Sequence, residues 1–528
     1  MSSFDLKPLF YPDTMAVVGV SGNHIFNPGY IIFQRNLMIK GHDSGKVFGI
    51  NPKGGLLEGT DLLKSLYDVP KRLDLAVLCV RPADTVQAFK ECIDIGVKSV
   101  IIISGGFAEV GGDGLFYQNE IRRMAFENNV PVIGPNCVGV FSPGYVNTII
   151  VPNERVVLPD INGNVAIVSQ SGGVMIDQWF AKYKERSIGI SRAVSVGNKA
   201  VLDEVDILEF FETDDKTDVI GFYLEGFAEG RGREFLLKSR HANKTIIMLK
   251  GGKSEGGFKA AASHTAAVAS NARVLDGAFK QFSIINCQTE QEVVAYSKAM
   301  SLLTGKYKPF PTREFSGEVA VITVSGGHGV IAVDTLARYG LKLQEFSDAE
   351  KDAILSQLSP AVQPISSVNN PIDLTGSCSD DDLVGALEAL MINPRVELVL
   401  LLILPYPPGL TMSLGSRVAS IARVFKKPLI AYLPYVEKYA MIREALDEAY
   451  IPVGNSIEEA ILMVHAVYLK SRALVRASFN KDVGRDEVLI EDYQQFQKVL
   501  NEINASRTKK KANVIPPDDA EYEGESPE

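Results

Sequence analysis

The 528 residues hold five cysteines, one tryptophan and no excess of basic charge, and each shortage removes a class of function. The cysteines stand at 79, 92, 137, 287 and 378. With no C-x-x-C pair among them, neither a disulfide framework nor a zinc site is indicated, and a reducing, cytoplasmic compartment fits such usage. A formal net charge of −10 argues against nucleic acid as a partner, because a phosphate backbone wants a basic face. The six histidines include no H-x-x-x-H pair, so no metal site is expected. Long apolar runs are missing too. The nearest approach, VELVLLLILPYPPG, breaks at Pro405, short of the ~18 residues a spanning helix needs. The first residues, MSSFDLKPLFYPDT, have neither a basic start nor an apolar centre and do not read as a signal peptide. A soluble protein with no membrane partner is expected.

What the chain does have is short runs of Val, Ile and Leu, such as MAVVGV, LAVLCV, SVIIIS, NVAIVS, TIIMLKG, EVAVITVS and ELVLLLILP. They alternate with longer segments of helical period, which predicts α/β architecture with parallel strands buried on both faces. Three runs end alike, in SVIIISGGFAE, NVAIVSQSGGV and EVAVITVSGGHGV. A Ser-Gly-Gly turn at a strand's carboxyl end lets backbone N–H groups at the next helix face an anion. Three such turns imply three α/β units. Linker composition at LPDINGN and GKYKPFPTREFSG puts them at 1–159, 160–306 and 316–479, with a charged helix and a disordered tail over 480–528.

The candidate site residues sit at these strand ends. Gly19, Ser21 and Gly22 form the first turn, without the G-x-G-x-x-G spacing of a dinucleotide fold; the plain alternative is a tight turn that needs glycine. Lys53, in INPKGG, is placed to meet a phosphate or else is simply solvated. Asn136, in GPNCVG, could brace a ligand or turn the chain. In SQSGG, Ser169, Ser171, Gly172 and Gly173 make an anion cradle at a helix start, and that turn is not the Gly-x-Ser-x-Gly elbow of a hydrolase. Glu225 ends the strand of GFYLEGF, where a carboxylate can orient an imidazole. His264 stands among small residues in FKAAASHTAAVAS. A lone histidine is more often structural than reactive, but these neighbours leave room for something to come close, and a nucleophilic role is open.

Taken together, SHTAA after KGGKSEGGFKAAA, with YLEG, SQSGG, VGNKA, GPNCVG, GGFAE and INPKGG, resembles the α subunit of ADP-forming (NDP-forming) acyl-CoA synthetases, relatives of the succinyl-CoA synthetase α subunit. The resemblance runs over about residues 1–470. It implies an N-terminal Rossmann-like CoA-binding domain, matching Gly19, Ser21, Lys53, Phe107, Glu109 and Asn136, followed by two flavodoxin-like domains. It implies that His264 carries phosphate during turnover, that Glu225 pairs with it, and that Ser169, Ser171, Gly172 and Gly173 hold the phosphoryl group. Many relatives have glycine where this chain has Ala266, and the added methyl narrows that approach.

The implied activity interconverts acyl-CoA, ADP and phosphate with a carboxylic acid, CoA and ATP. No G-x-x-x-x-G-K-[ST] occurs, and the residues after Phe479 are too few for an ATP-grasp domain. A separate ATP-grasp β subunit carrying the nucleotide and its Mg2+ is therefore expected, in an assembly such as α2β2. Two other readings stand beside this one: a non-catalytic CoA-binding regulatory or acyltransferase-complex subunit, and a nicotinamide-dependent dehydrogenase. The joint presence of His264, Glu225 and SQSGG favours the ligase over the first. The missing G-x-G-x-x-G and acidic ribose partner disfavour the second. No residue pattern names the acyl group or distinguishes ADP from GDP.

Overall fold

The computed structural model describes residues 4–480, apart from 23–25, 153, 157–162, 182–187, 258, 260–271, 305–309 and 311–313. His264 and the expected C-terminal helix and tail lie outside the described residues. The apolar runs are strands, and they pair as α/β patterning predicts. In β1 (Met15–Val18), β5 (Leu75–Leu78) and β6 (Ser99–Ile102) every residue is buried. With both faces of the sheet covered, no polar alternation survives.

The first sheet takes the order β2-β1-β5-β6-β7, with β2 at Val47–Ile50 and β7 at Val132–Ile133, and all its pairs are parallel. A small hairpin of β3 (Gly55–Leu57) and β4 (Thr60–Leu62) follows β2. The second sheet runs β14-β13-β12-β10-β11-β8-β9. Its parallel part comprises β10 (Val165–Ser169), β11 (Ile190–Ser195), β12 (Val219–Leu224), β13 (Thr245–Lys250) and β14 (Ile285–Cys287). In chain order these are strands 5-4-3-1-2, the flavodoxin-like winding, whose switch point falls between β10 and β12. Ligands bind at such a point because the loops there diverge to opposite faces. The strands β8 (Val140–Ser142) and β9 (Val146–Asn147) add an antiparallel edge on β11, so residues just before LPDINGN belong by pairing to the second sheet.

The third sheet is parallel throughout. Its central strand β15 (Glu318–Thr323) has β16 (Lys342–Leu343) and β17 (Ile372–Asp373) on one side. On the other side follow β18 (Val399–Leu402), β19 (Leu429–Tyr432) and β20 (Val453–Gly454).

The sheets share cores. Phe10 and Ile133 pack in one cluster with Val168, Val194 and Phe211. Trp179 and Tyr296 pack with Val321, Leu400 and Ile461 in another. The helices Glu290–Leu303 and Ile457–Asn480 form the seam of the second cluster. Residues 1–477 accordingly form one compact unit. No helix among the described residues is long and apolar enough to cross a membrane.

Candidate active site at two sheet edges

The carboxyl ends of β1, β2, β5, β6 and β7 share one edge of the first sheet. At Gly19 the backbone has φ +92°, and a Cβ there would lie 2.5 Å from the Cys79 carbonyl oxygen. Glycine is obligatory for that packing, so the turn after β1 can press against β5. The helix Pro28–Lys40 that follows is capped by Asn27, whose side chain accepts the Tyr30 N–H. Ser21 is half-buried in the turn. Lys53 is exposed beyond β2, and its backbone N–H donates to Asn51 Oδ1 at 2.9 Å.

The turn after β6 is organised by Glu109. Its carboxylate accepts the N–H groups of Gly106 at 2.6 Å and Phe107 at 3.2 Å, and the amide of Asn198 at 2.6 Å. Burial pushes the Glu109 pKa up, but the Asn198 amide and these backbone donors outweigh it and hold the carboxyl below its ordinary value. Phe107 is fully buried, so it anchors the turn. After β7, Asn136 adopts φ +59° and donates its backbone N–H to Ser104 O at 2.9 Å. Its side-chain amide donates to Asn198 Oδ1 at 3.3 Å.

Asn198 belongs to the VGNKA loop after β11, so the second sheet reaches across to the first here. The contact is close: Gly197 has φ +55°, and a Cβ on it would fall 2.2 Å from Pro135 O. Asn198 N–H donates to that same oxygen at 2.9 Å.

The SQSGG turn follows β10. Ser171 caps the helix Gly172–Met175, which continues as a π-helical turn over Ile176–Phe180. Ser169 is buried, and its Oγ donates to Ser171 O at 2.6 Å; its hydroxyl shapes the turn from behind. A Cβ on Gly172 would lie 2.2 Å from Val138 Cγ1, so that side chain would have to shift to admit one, whereas the face of Gly173 is open. Gln170 bridges to the next strand: its Oε1 accepts the N–H groups of Glu225 at 2.9 Å and Gly226 at 3.3 Å. Glu225 is thereby held beside the turn, with Tyr223 Oη 3.4 Å from its Oε1. Burial first, and the Glu225 charge second, push the Tyr223 pKa up to about 12.

Between these edges lies a cavity of about 450 Å³. Ser104, Gly105 and Asn136 line it from the first sheet, and Ser171, Gly172 and Gly173 from the second. Of the residues named from sequence, Asn136 and the Ser171–Gly173 turn thus meet in one space. Glu109 stands just behind it through Asn198, itself a lining residue. Gly19 and Phe107 support the walls. Sequence reasoning passed over Gln170, Asn198, Lys199 and Lys250. All four lie inside motifs quoted for their resemblance. Lys250 had a second signal, as the one charged residue of the fully buried strand β13. Burial pushes its pKa down to about 8, against the opposing pull of Glu225.

Gly-x-Ser-x-Gly spacing does occur at residues 252–256. Ser254 there is exposed and its Oγ accepts the Gly257 N–H at 3.0 Å, a helix-capping bond; among the described residues no base is hydrogen-bonded to it. Among the described residues no group of three or more His, Cys, Asp or Glu gathers as metal ligands would.

Comparison with known proteins bears on both edges. Residues 13–143 match the family model of a CoA binding domain, and residues 162–300 that of a succinyl-CoA ligase like flavodoxin domain. The α subunit of acetate–CoA ligase (ADP-forming) I from Pyrococcus furiosus is 34% identical over 482 residues, covering 88% of this chain and 98% of the relative. Acetate–CoA ligase (ADP-forming) I from Archaeoglobus fulgidus is 33% identical over 410 residues, which are 76% of this chain and 55% of that protein. Among solved structures, the acetyl-coenzyme A synthetase 1 of Ca. Korarchaeum cryptofilum, described as dinucleotide forming and in complex with phosphate and ADP, superposes with a TM-score of 0.78 at 32% identity. The match covers 91% of this chain and 99% of that one.

Proposed function

This chain belongs to the family of ADP-forming acyl-CoA synthetases, aligning with an α subunit over 98% of its length, and from that premise we propose that it is a catalytic α subunit working through a phosphohistidine at His264. The observation that carries the reading is the shared cavity, which opens the carboxyl edge of the CoA-binding sheet directly onto the SQSGG turn. An acyl thioester bound at the first edge lies within reach of a phosphate at the second.

In the first step, phosphate oxygen attacks the acyl carbon, the C–S bond breaks and CoA leaves as the thiol. The acyl phosphate then yields its phosphoryl group to a ring nitrogen of His264, releasing the carboxylate. ADP takes the phosphoryl group from the histidine, forming ATP. Backbone N–H groups of Gly172 and Gly173 and the Ser171 hydroxyl suit a travelling phosphoryl dianion, because fixed donors at a helix start need no reorganisation. A carboxylate at Glu225 suits the imidazole, holding one tautomer and stabilising the positive ring formed in transfer. Residues 1–159 then hold CoA through Gly19, Ser21, Lys53, Phe107, Glu109 and Asn136. Residues 160–306 carry the phosphohistidine and 316–479 form the second flavodoxin-like domain.

The nucleotide and its Mg2+ sit on a separate ATP-grasp β subunit. Support comes from a P. furiosus relative named as a subunit, and from the A. fulgidus relative, of which this chain spans 55%.

Incubation with acyl-CoA and radiolabelled phosphate tests the reading. An acid-labile, base-stable label should appear on this chain and vanish, with turnover, in His264→Ala, while CoA affinity measured by calorimetry persists. Full turnover in that variant, or label on a serine of SQSGG, would overturn it.

A further inference from the structure

The backbone at Glu225–Gly226 is held on all four of its polar groups by side chains from other elements. Gln170 takes both N–H groups, as described. Both carbonyls go to lysines: Lys250 Nζ donates to Glu225 O at 2.6 Å, and Lys199 Nζ donates to Gly226 O at 2.6 Å. Gln170 follows β10, Lys199 follows β11 and Lys250 ends β13, so the clamp closes from both sides of β12. All three side chains are buried or nearly so: Gln170 and Lys250 are 7% and 5% exposed, and the Lys199 side chain 8%.

This is an expensive way to hold a turn. Water would satisfy two exposed carbonyls, whereas a buried ammonium on neutral carbonyls is penalised by desolvation. Lys199 recovers part of that through an ion pair with the fully buried Glu204 at 2.9 Å. Lys250 makes no ion pair among the described residues and is capped only by Glu225 O and, at 2.5 Å, Gly251 O; its lowered pKa is the mark of that burial. Such an arrangement is explained if the residue between the clamps must not move. Glu225 stands at the switch point, tied by its N–H to Gln170 of the SQSGG turn, and a displacement of about 1 Å at a reacting group is enough to lose roughly two orders of magnitude in rate.

We propose that Gln170, Lys199 and Lys250 are positioning residues that preset the Glu225 carboxylate for the phosphoryl-transfer step. The proposal rests on the role given to Glu225 above, and it extends that role to three side chains that act through the Glu225–Gly226 backbone, Gln170 among them also lining the shared cavity.

A double-mutant cycle tests it. The complete enzyme is prepared with Lys250→Met and with Gln170→Met, each in the native background and in Glu225→Gln. Each single variant should slow labelling by roughly tenfold or more, the loss expected when a charge-assisted or buried bond to a positioned group is removed. The KM for acyl-CoA should stay unchanged and Lys250→Arg should restore part of the rate. In the Glu225→Gln background the same changes should slow labelling by less than about twofold, because residues acting through one carboxylate are not additive with its loss. Full additivity, or a fall in acyl-CoA affinity that accounts for the slower rate, overturns the clamp. If Lys250→Met fails to fold, Gln170→Met alone decides the cycle. If His264→Ala keeps turnover, the phosphohistidine reading falls by itself, and the clamp is judged by the same non-additivity in overall turnover.

Discussion

Asn198 donates to Glu109 and to Gln118 Oε1 at 3.0 Å and accepts from Asn136, so one amide joins two strand-end turns and the helix Gly112–Asn128 of the first sheet to the second. An amide is required, because the site needs a donor and an acceptor on one side chain. Asn198→Asp would set a second carboxylate against Glu109 at the position of the 2.6 Å bond. At neutral pH the two like charges repel, and CoA binding should weaken by about 1.5–3 kcal/mol, the worth of a hydrogen bond to a charged group. As pH falls, one of the pair takes a proton and becomes a donor, so the deficit relative to the native protein should shrink between roughly pH 7 and pH 5. Adding Glu109→Gln should restore part of the affinity at neutral pH by reversing donor and acceptor in that bond, the Phe107 N–H losing its acceptor. Calorimetric titration with CoA across that range checks all three outcomes. A uniform loss that neither acid nor the reversed pair relieves would show Asn198 to be a packing residue only.

At the scale of elements, the helix Ile457–Asn480 joins the second and third sheets through His465. Its Nδ1 lies 2.7 Å from Tyr296 Oη, and Tyr296 belongs to the helix Glu290–Leu303. Burial pushes the His465 pKa down to about 4 from 6.5. The folded protein keeps the ring neutral, whereas the unfolded chain binds a proton below about pH 6.5, so acid favours unfolding. The contribution is fully present above the unfolded value and is lost as pH falls toward the folded one. Over that window it amounts to about 3 kcal/mol at 1.36 kcal/mol per pKa unit. His465→Gln keeps an acceptor for Tyr296 but cannot titrate. Denaturant unfolding of the two proteins should therefore converge as pH is lowered from 6.5 to 4, the native protein losing its advantage. Parallel curves would place the ring in solvent.

At the scale of the molecule, the three sheets do not behave as beads on a string. Phe10 stacks on Phe210 at 4.7 Å, and Tyr11 Oη donates to Asp214 at 2.7 Å, so the first sheet's leading helix is part of the second sheet's packing. The cavity exists only because both edges are held in one frame. The proposed reaction places ADP on a separate subunit. The purified chain is expected to form no ATP from acyl-CoA, phosphate and ADP, and to gain that activity when an ATP-grasp subunit is supplied. A coupled assay with and without such a subunit checks this, and ATP formation by this chain alone would refute the division of labour.

The fully apolar strands and their helical spacers determined the class of the fold by themselves. A parallel strand buried on both faces has no polar alternation to keep, and that absence is readable locally. The Ser-Gly-Gly turns were readable for the same reason: a backbone that approaches its neighbour closely leaves little room for a Cβ, as at Gly172 against the Val138 side chain. Motif resemblance carried the family, and the comparisons bear it out. What only the tertiary structure decided was which polar residues serve which. Gln170 finds Glu225 55 positions away, Lys250 finds it across 25, and Asn198 reaches Glu109 across 89. Each partner lies on a different strand end, and periods of 2 or 3.6 residues hold no record of which strand becomes whose neighbour. Strand order is set by the packing of whole layers, so the hydrogen bonds that hold Glu225 and Glu109 became visible only once the sheets were formed.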